Sequence, residues 1–347
     1  MSLSSVSPLR AICALIAFGL LGSLARADLV WSPQTGWSVE GGILAGVGQS
    51  GRDSATALSL MNAARTSEEA GSFHSALKKY TLVTRKYTSS VYAPEAFYRI
   101  AQIRMKQKNL AKAFEAYQSI IGRYPNVKRF NAIIEDMYGI AAATVNGARG
   151  KFLWIFPGFP NRERGIGYLL TIVNDAPYDD YAALSLMEAA RTMEYLGDND
   201  EAIDTLDEFV NNYPQSPFTP DAYLRLAKAH ATLVAGASYD QAETKQAITY
   251  DEDFMILFPS DPKIAEAAQG LDTMKKMLAE SKMKIGDFYF YKRDNYPAAR
   301  VFYNEAITSY PGSDVAKRAR LRLNEVEAKA NAAARPGTPP KKHFLFF

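Results

Sequence analysis

The chain has 347 residues, 48% of them hydrophobic, enough to bury a large core. Its 40 basic and 37 acidic residues leave a net charge of +3, too even a balance for a nucleic-acid ligand, which calls for a concentrated basic face. One cysteine, Cys13, and three scattered histidines, His74, His230 and His343, argue against a disulfide framework, a thiolate metal site or a zinc centre.

In chain order, residues 1–27 read as a secretory signal peptide. Arg10 is the positive flank, Ala11 to Leu24 the apolar run, and Ala25-Arg26-Ala27 the small-residue site, with cleavage between Ala27 and Asp28. The run is shorter than the ~20 residues of a membrane-spanning helix; an uncleaved anchor is the alternative. Cys13 lies inside the run behind Arg10-Ala11-Ile12, a poor match to a lipidation site. Residues 28–53 carry Trp31, Trp37 and a glycine cluster without helical period. They are expected to form an extended leader whose tryptophans pin it to the first repeat.

From residue 54 the helical period takes over. Five times an apolar stretch closes on an aromatic or small residue and a proline: Tyr124-Pro125, Ala176-Pro177, Tyr213-Pro214, Phe258-Pro259 and Tyr310-Pro311. Proline cannot continue a helix and pushes the residue before it out of helical geometry. Four of the five are preceded by a small residue twelve positions back and an apolar one eight back: Ala113 and Tyr117, Gly165 and Leu169, Ala202 and Leu206, Ala299 and Tyr303. Ala76 and Tyr80 repeat the pattern without the proline. The prolines stand 52, 37, 45 and 52 residues apart, which points to a helix-pair unit of about 34 residues carrying insertions. The expected fold is all-α: a right-handed superhelix of about five to six tetratricopeptide-like helix pairs with a long linking helix in the C-terminal half.

Residues 54–178 form the expected N-terminal repeats. They are interrupted at 146–161 by an aromatic insertion with Phe152, Trp154, Phe156 and Phe159 between Arg149, Lys151, Arg162 and Arg164. Such a loop either folds back to fill a gap in the stack or touches a membrane or a partner. Residues 179–330 form the C-terminal repeats, with a long helix from Ile264 to Tyr291 and a polar capping helix from Val315 to Ala330. Residues 331–347 read as a disordered tail ending in His343-Phe344-Leu345-Phe346-Phe347, either a loose end or a docking segment.

No nucleophile elbow, phosphate-binding glycine loop or dinucleotide fingerprint is present, and the pairs Glu68-Glu69 and Asp198/Asp200 read as solvated turns. The sequence predicts a non-enzymatic scaffold without cofactor or metal.

Leu278-Ala279-Glu280, the pair Phe288-Tyr289, Lys292-Arg293 and Asn295-Tyr296-Pro297-Ala298-Ala299-Arg300 resemble the BamD/YfiO family of outer membrane protein assembly factors, over roughly residues 54–327. Tyr310-Pro311-Gly312-Ser313 and Tyr213-Pro214-Gln215-Ser216 are similar to it as well. The resemblance implies a periplasmic repeat protein associated with the outer membrane, whose C-terminal repeats contact the β-barrel insertase (BamA) and whose N-terminal repeats receive nascent outer membrane proteins. On that reading Tyr92, Tyr98, Arg99, Gln102 and Arg104 are candidates for a peptide-binding groove, and Lys276, Glu280, Lys284 and Asp287 for the insertase face. The chain departs from the family in lacking a convincing lipidation cysteine and in carrying the 146–161 insertion. The other reading is a repeat adaptor for a different envelope machine, serving peptidoglycan synthesis or secretin assembly.

Overall fold

A computed structural model describes residues 28–40, 52–148, 151–152, 156–157, 161–234, 236 and 241–333. The signal segment 1–27 with Ala27, the insertion residues Trp154 and Phe159, and residues 334–347 lie outside the described residues.

Thirteen helices account for almost all of the described chain, which falls into two compact units, Met1–Ala176 and Pro177–Phe347. The first unit holds α1 (Arg52–Glu69), α2 (Phe73–Lys86), α3 (Ala93–Lys106), α4 (Leu110–Arg123), α5 (Phe130–Val145) and α6 (Arg162–Asp175). They pack as three consecutive hairpins, α1 with α2, α3 with α4 and α5 with α6. The second unit holds α7 (Asp180–Leu196), α8 (Asn199–Asn212), α9 (Thr219–Leu233), α10 (Ala242–Leu257), α11 (Ile264–Lys292), α12 (Tyr296–Ser309) and α13 (Asp314–Ala333). Three further hairpins are closed there by α13, which packs on both α11 and α12. The chain is therefore all-α with the helix-pair repeat that the sequence predicts.

Each proline punctuation ends a helix one residue ahead of the X-Pro pair: α4 stops at Arg123, α6 at Asp175, α8 at Asn212, α10 at Leu257 and α12 at Ser309. The residue before each proline has left helical geometry, as the clash with the proline ring requires. The small residues of the pattern, Ala76, Ala113, Gly165, Ala202 and Ala299, are all buried, and so are Tyr80, Tyr117, Leu169, Leu206 and Tyr303 eight before the turn. Small side chains let paired helices approach, and the large ones fill the space that remains.

The leader differs in form from the extended segment expected. Asp28–Ser32 (β1) and Gly36–Glu40 (β2) pair as an antiparallel hairpin, with Trp31 opposite Trp37. Trp37 is buried in the core built by α1, α2 and α3, and Leu29 and Trp31 pack against the same cluster. The Trp37 amide donates to Asn62 Oδ1 on α1 at 2.9 Å. Gly36 carries a φ of +73° there, and a Cβ on it would meet Asn62 Oδ1 at 2.8 Å, so both the turn and the close approach call for glycine. Lys151–Phe152 and Phe156–Pro157 pair as a second short antiparallel ribbon, β3 with β4, at the root of the aromatic insertion. At the other end α13 runs three residues past the predicted capping helix, so residues 331–333 are helix rather than tail.

Candidate protein-interaction surfaces

Two surfaces carry the sequence-predicted residues, one in each unit. In the first unit, α3 begins after Tyr92 with Pro94 in its first turn, which places Glu95, Tyr98, Arg99 and Gln102 along one side at helical spacing. Glu95 accepts from Arg99 Nε at 2.8 Å and pairs with Arg129 Nη1 at 3.4 Å. The Arg129 guanidinium lies 5.0 Å from the Tyr98 ring centroid, and the Tyr98 ring meets Tyr117 edge-on at 5.9 Å. Arg99 in turn sits 5.4 Å from the Trp37 ring. Gln102 Nε2 donates to the Tyr117 hydroxyl at 2.6 Å and to Asp136 Oδ2 at 3.2 Å. Tyr117 donates to the same carboxylate at 2.6 Å. Burial first, then the adjacent Asp136 carboxylate, drive the Tyr117 phenol far above its ordinary pKa, so it remains a neutral donor.

Tyr98, Arg99 and Gln102 are thus one connected network of aromatic, cationic and amide groups. Arg104 is outside it, its Nη1 donating to Gln107 at the end of α3 at 3.0 Å. Tyr92 is a correction: it is fully buried in the core of the first unit and is not available to a groove. Its aromatic character suited either role, and the Ala93-Pro94 helix start turns it inward. Three members of the network were missed. Glu95 pairs with Arg99 at i, i+4, a spacing visible in the sequence. Arg129 and Asp136 arrive from the next repeat, about one repeat length away, and no local signal marks them.

In the second unit, Lys276, Glu280, Lys284 and Asp287 descend α11 at spacings of 4, 4 and 3, so they form one stripe. α13 lies along it. Glu280 pairs with Arg318, and Asp287 accepts the Tyr303 hydroxyl at 2.7 Å with Arg322 Nε 3.9 Å away. Lys276 and Lys284 are exposed. Glu280 and Asp287 therefore help to hold α12 and α13. Beside the stripe stand two exposed aromatics, Phe288 with Arg293 at 5.4 Å and Tyr291 with Arg322 at 5.4 Å and Lys329 at 6.0 Å. Phe288 entered the sequence reading only as part of a motif, and Tyr291 only as the end of a helix.

Of the aromatic insertion, Phe152 and Phe156 are described only as a backbone pair of the short ribbon. No described helix is long and apolar enough to cross a membrane.

Paired antiparallel helices repeating an Ala or Gly and a Tyr or Leu at fixed places before five of six turns define a tetratricopeptide-type repeat protein. Residues 95–126 match the tetratricopeptide repeat model TPR_6, and residues 176–334, nearly all of the second unit, match YfiO, described as an outer membrane lipoprotein family. Outer membrane protein assembly factor BamD of Rickettsia prowazekii (strain Madrid E) is 29% identical over 126 residues, 36% of this chain and 50% of that protein. The chain thus spans about half the length of the curated relative it matches. Taken together, the matches make the chain similar to the BamD/YfiO family over its second unit and to the tetratricopeptide repeat within its first. Among solved structures, a tetratricopeptide repeat protein from Parabacteroides merdae is 12% identical with a TM-score of 0.29, covering 79% of this chain and 99% of that one. A signal transduction ATPase with numerous domains from Pyrococcus horikoshii, which carries a tetratricopeptide repeat sensor, is 13% identical with a TM-score of 0.31, covering 80% of this chain and 43% of that one.

Proposed function

We propose that the chain is a non-catalytic scaffold of the periplasm, associated with the outer membrane, that assists the assembly and insertion of outer membrane proteins. Its second unit docks on the β-barrel insertase, and its first unit receives extended segments of nascent outer membrane proteins along α3. The observation that carries this reading is the YfiO match over residues 176–334. The lysines of the α11 stripe and the neighbouring Phe288 and Tyr291 supply a cationic and aromatic surface suited to a protein partner. Along α3, the half-exposed Arg129 from the start of α5 and the Tyr98 ring supply donors and a flat apolar face for a peptide. The reading of residues 1–27 as a signal peptide supports the periplasm, and the 146–161 insertion, with Phe152, Trp154, Phe156 and Phe159 among basic residues, supports peripheral contact with the membrane.

The test is purification of the tagged full chain from gently solubilised membranes. Recovery of the β-barrel insertase, lost on joint Lys276→Glu and Lys284→Glu substitution with helical content unchanged, is the expected result. Recovery of peptidoglycan synthases or a secretin in its place would overturn the reading.

A further inference from the structure

Among the described residues, the N-terminal ribbon has one edge occupied and one edge open. In an antiparallel pair, alternate residues aim their backbone N–H and C=O groups toward the partner strand and away from it. Trp37 gives its N–H to Asn62 on α1, outside the ribbon, so Trp31 opposite Trp37 is a pair whose backbone groups point outward. β2 therefore faces α1. The groups of Leu29 and Trp31 point away from β2 along the other side of β1, and among the described residues nothing bonds them. They repeat every second residue, a spacing of about 6.8 Å that another extended backbone matches.

The two faces of the ribbon also differ. Leu29 and Trp31 pack against the core of α1, α2 and α3, whereas Val30 is exposed. Arg65 lies 5.4 Å from the Trp31 ring and Arg99 the same distance from Trp37, which fixes both rings in place. Arg99 is also a member of the α3 network, so the ribbon lies beside the surface where the first unit is read as receiving peptide. A strand laid along β1 places every second side chain beside Leu29 and Trp31 on the apolar side, and the intervening ones beside Val30 toward water.

We propose that the open edge of β1 is a docking edge for an extended segment of another polypeptide, one alternating apolar and polar residues, which adds as a third strand. Backbone pairing supplies the affinity and the alternation supplies the selectivity. The ribbon thereby gives an all-helical scaffold a template for β-structure. The inference rests on the reading that the first unit receives nascent outer membrane strands, and names the hydrogen-bonding edge that does so.

The test uses the full chain and a short synthetic peptide alternating valine or tyrosine with threonine, its binding followed by tryptophan fluorescence. Leu29→Pro removes one outward N–H while leaving the ladder bonds of β1 to β2 intact; Leu29→Ala removes only the side chain. Leu29→Pro is expected to weaken binding roughly three- to tenfold relative to Leu29→Ala, the loss of about one backbone hydrogen bond. Methylating the peptide amides at alternate positions is expected to abolish binding in one phase of the alternation and spare it in the other. Unchanged fluorescence of the unliganded Leu29→Pro chain confirms that Trp37 is still packed. Equal binding by both variants, with no dependence on which amides are methylated, overturns the docking edge but leaves peptide reception by α3 standing. A wild-type chain that binds no peptide at all overturns both. A dimer dispersed by Leu29→Pro assigns the edge to a second copy and overturns the proposal.

Discussion

The hydroxyl of Tyr124 donates to the backbone carbonyl of Thr88, 2.7 Å away and 36 residues earlier in the chain. Tyr213 makes the corresponding bond to the carbonyl of Pro177, at 2.9 Å and the same offset of 36. Both tyrosines stand at the end of a repeat, in the residue before proline, and each reaches the residue just past the equivalent position one repeat earlier. The Tyr-Pro pair thus stops its own helix and also ties its turn to the preceding turn. Burial raises both phenols above their ordinary pKa, so they stay protonated donors at neutral pH.

Replacing Tyr124 or Tyr213 by phenylalanine removes this tie without disturbing the ring. The bonds are exposed, so each substitution is expected to cost about 0.5–1 kcal/mol. Tyr310 makes no such bond among the described residues, and Tyr310→Phe is expected to leave stability unchanged. Urea denaturation of the three variants, followed by helical circular dichroism, checks the ordering.

Gly165 occupies the place where the five other repeats have alanine, and pattern alone predicts that Gly165→Ala is harmless or stabilising. The structure says otherwise. A Cβ on Gly165 would stand 2.5 Å from Val145 Cγ1 and 2.8 Å from the Val145 backbone nitrogen. Backbone does not yield as a side-chain tip does, so α5 and α6 must separate. The helix-propensity gain of about 1 kcal/mol is outweighed by overpacking of about 1–3 kcal/mol. A net loss in thermal stability is expected, with Ala113→Gly as the contrasting variant.

This case shows how far the sequence reaches. Proline stops, buried alanines and tyrosines at fixed offsets, and the helix bounds of α5 and α11 are all local consequences of period and punctuation, and they were legible. The partners of α3 were not, because Arg129 and Asp136 come from the neighbouring repeat. Nor was the ribbon at residues 28–40, since a tryptophan pair separated by a proline-containing turn has no period long enough to count. Tyr92 was misplaced because an aromatic at a helix start serves core and surface equally well in sequence.

Asp221 on α9 gathers cations from three elements. It accepts from Arg191 on α7 at 2.9 Å, Arg225 on its own helix at 2.8 Å and Lys263 at the start of α11 at 2.7 Å. Burial alone would raise its pKa, but the bonds from Lys263, Arg225 and Arg191 outweigh burial and hold it well below the usual carboxylate range. The carboxylate side chain is largely buried and the cations are partly exposed, so Asp221→Asn is expected to cost roughly 1–3 kcal/mol after solvent screening. A depressed folded pKa stabilises above the unfolded value and loses that stabilisation as pH falls. The difference between wild type and Asp221→Asn should therefore shrink below about pH 4, which urea midpoints measured across that range would show.

Asp251 breaks the repeat pattern in the other direction. Eight residues before Pro259, where the other repeats bury tyrosine or leucine, α10 buries a carboxyl that is only 3% exposed. It faces Gly270 of α11, whose missing side chain leaves it room: a Cβ there would lie 2.7 Å from Asp251 Oδ2. Burial drives its pKa from 3.8 up to about 7; Lys228 on α9 pulls it down in part, and Glu266 on α11 pushes it up. A raised folded pKa means that the native state binds the proton more tightly than the unfolded chain does. Ionising Asp251 therefore erodes stability progressively between about pH 4 and pH 7, by at most about 4 kcal/mol. Asp251→Asn keeps the shape and the hydrogen-bonding capacity without the charge. It is expected to stabilise the chain at neutral pH and to flatten the pH dependence over that interval, while matching wild type near pH 4. Parallel stability curves for the two proteins across the interval would show that the buried carboxyl carries no such penalty.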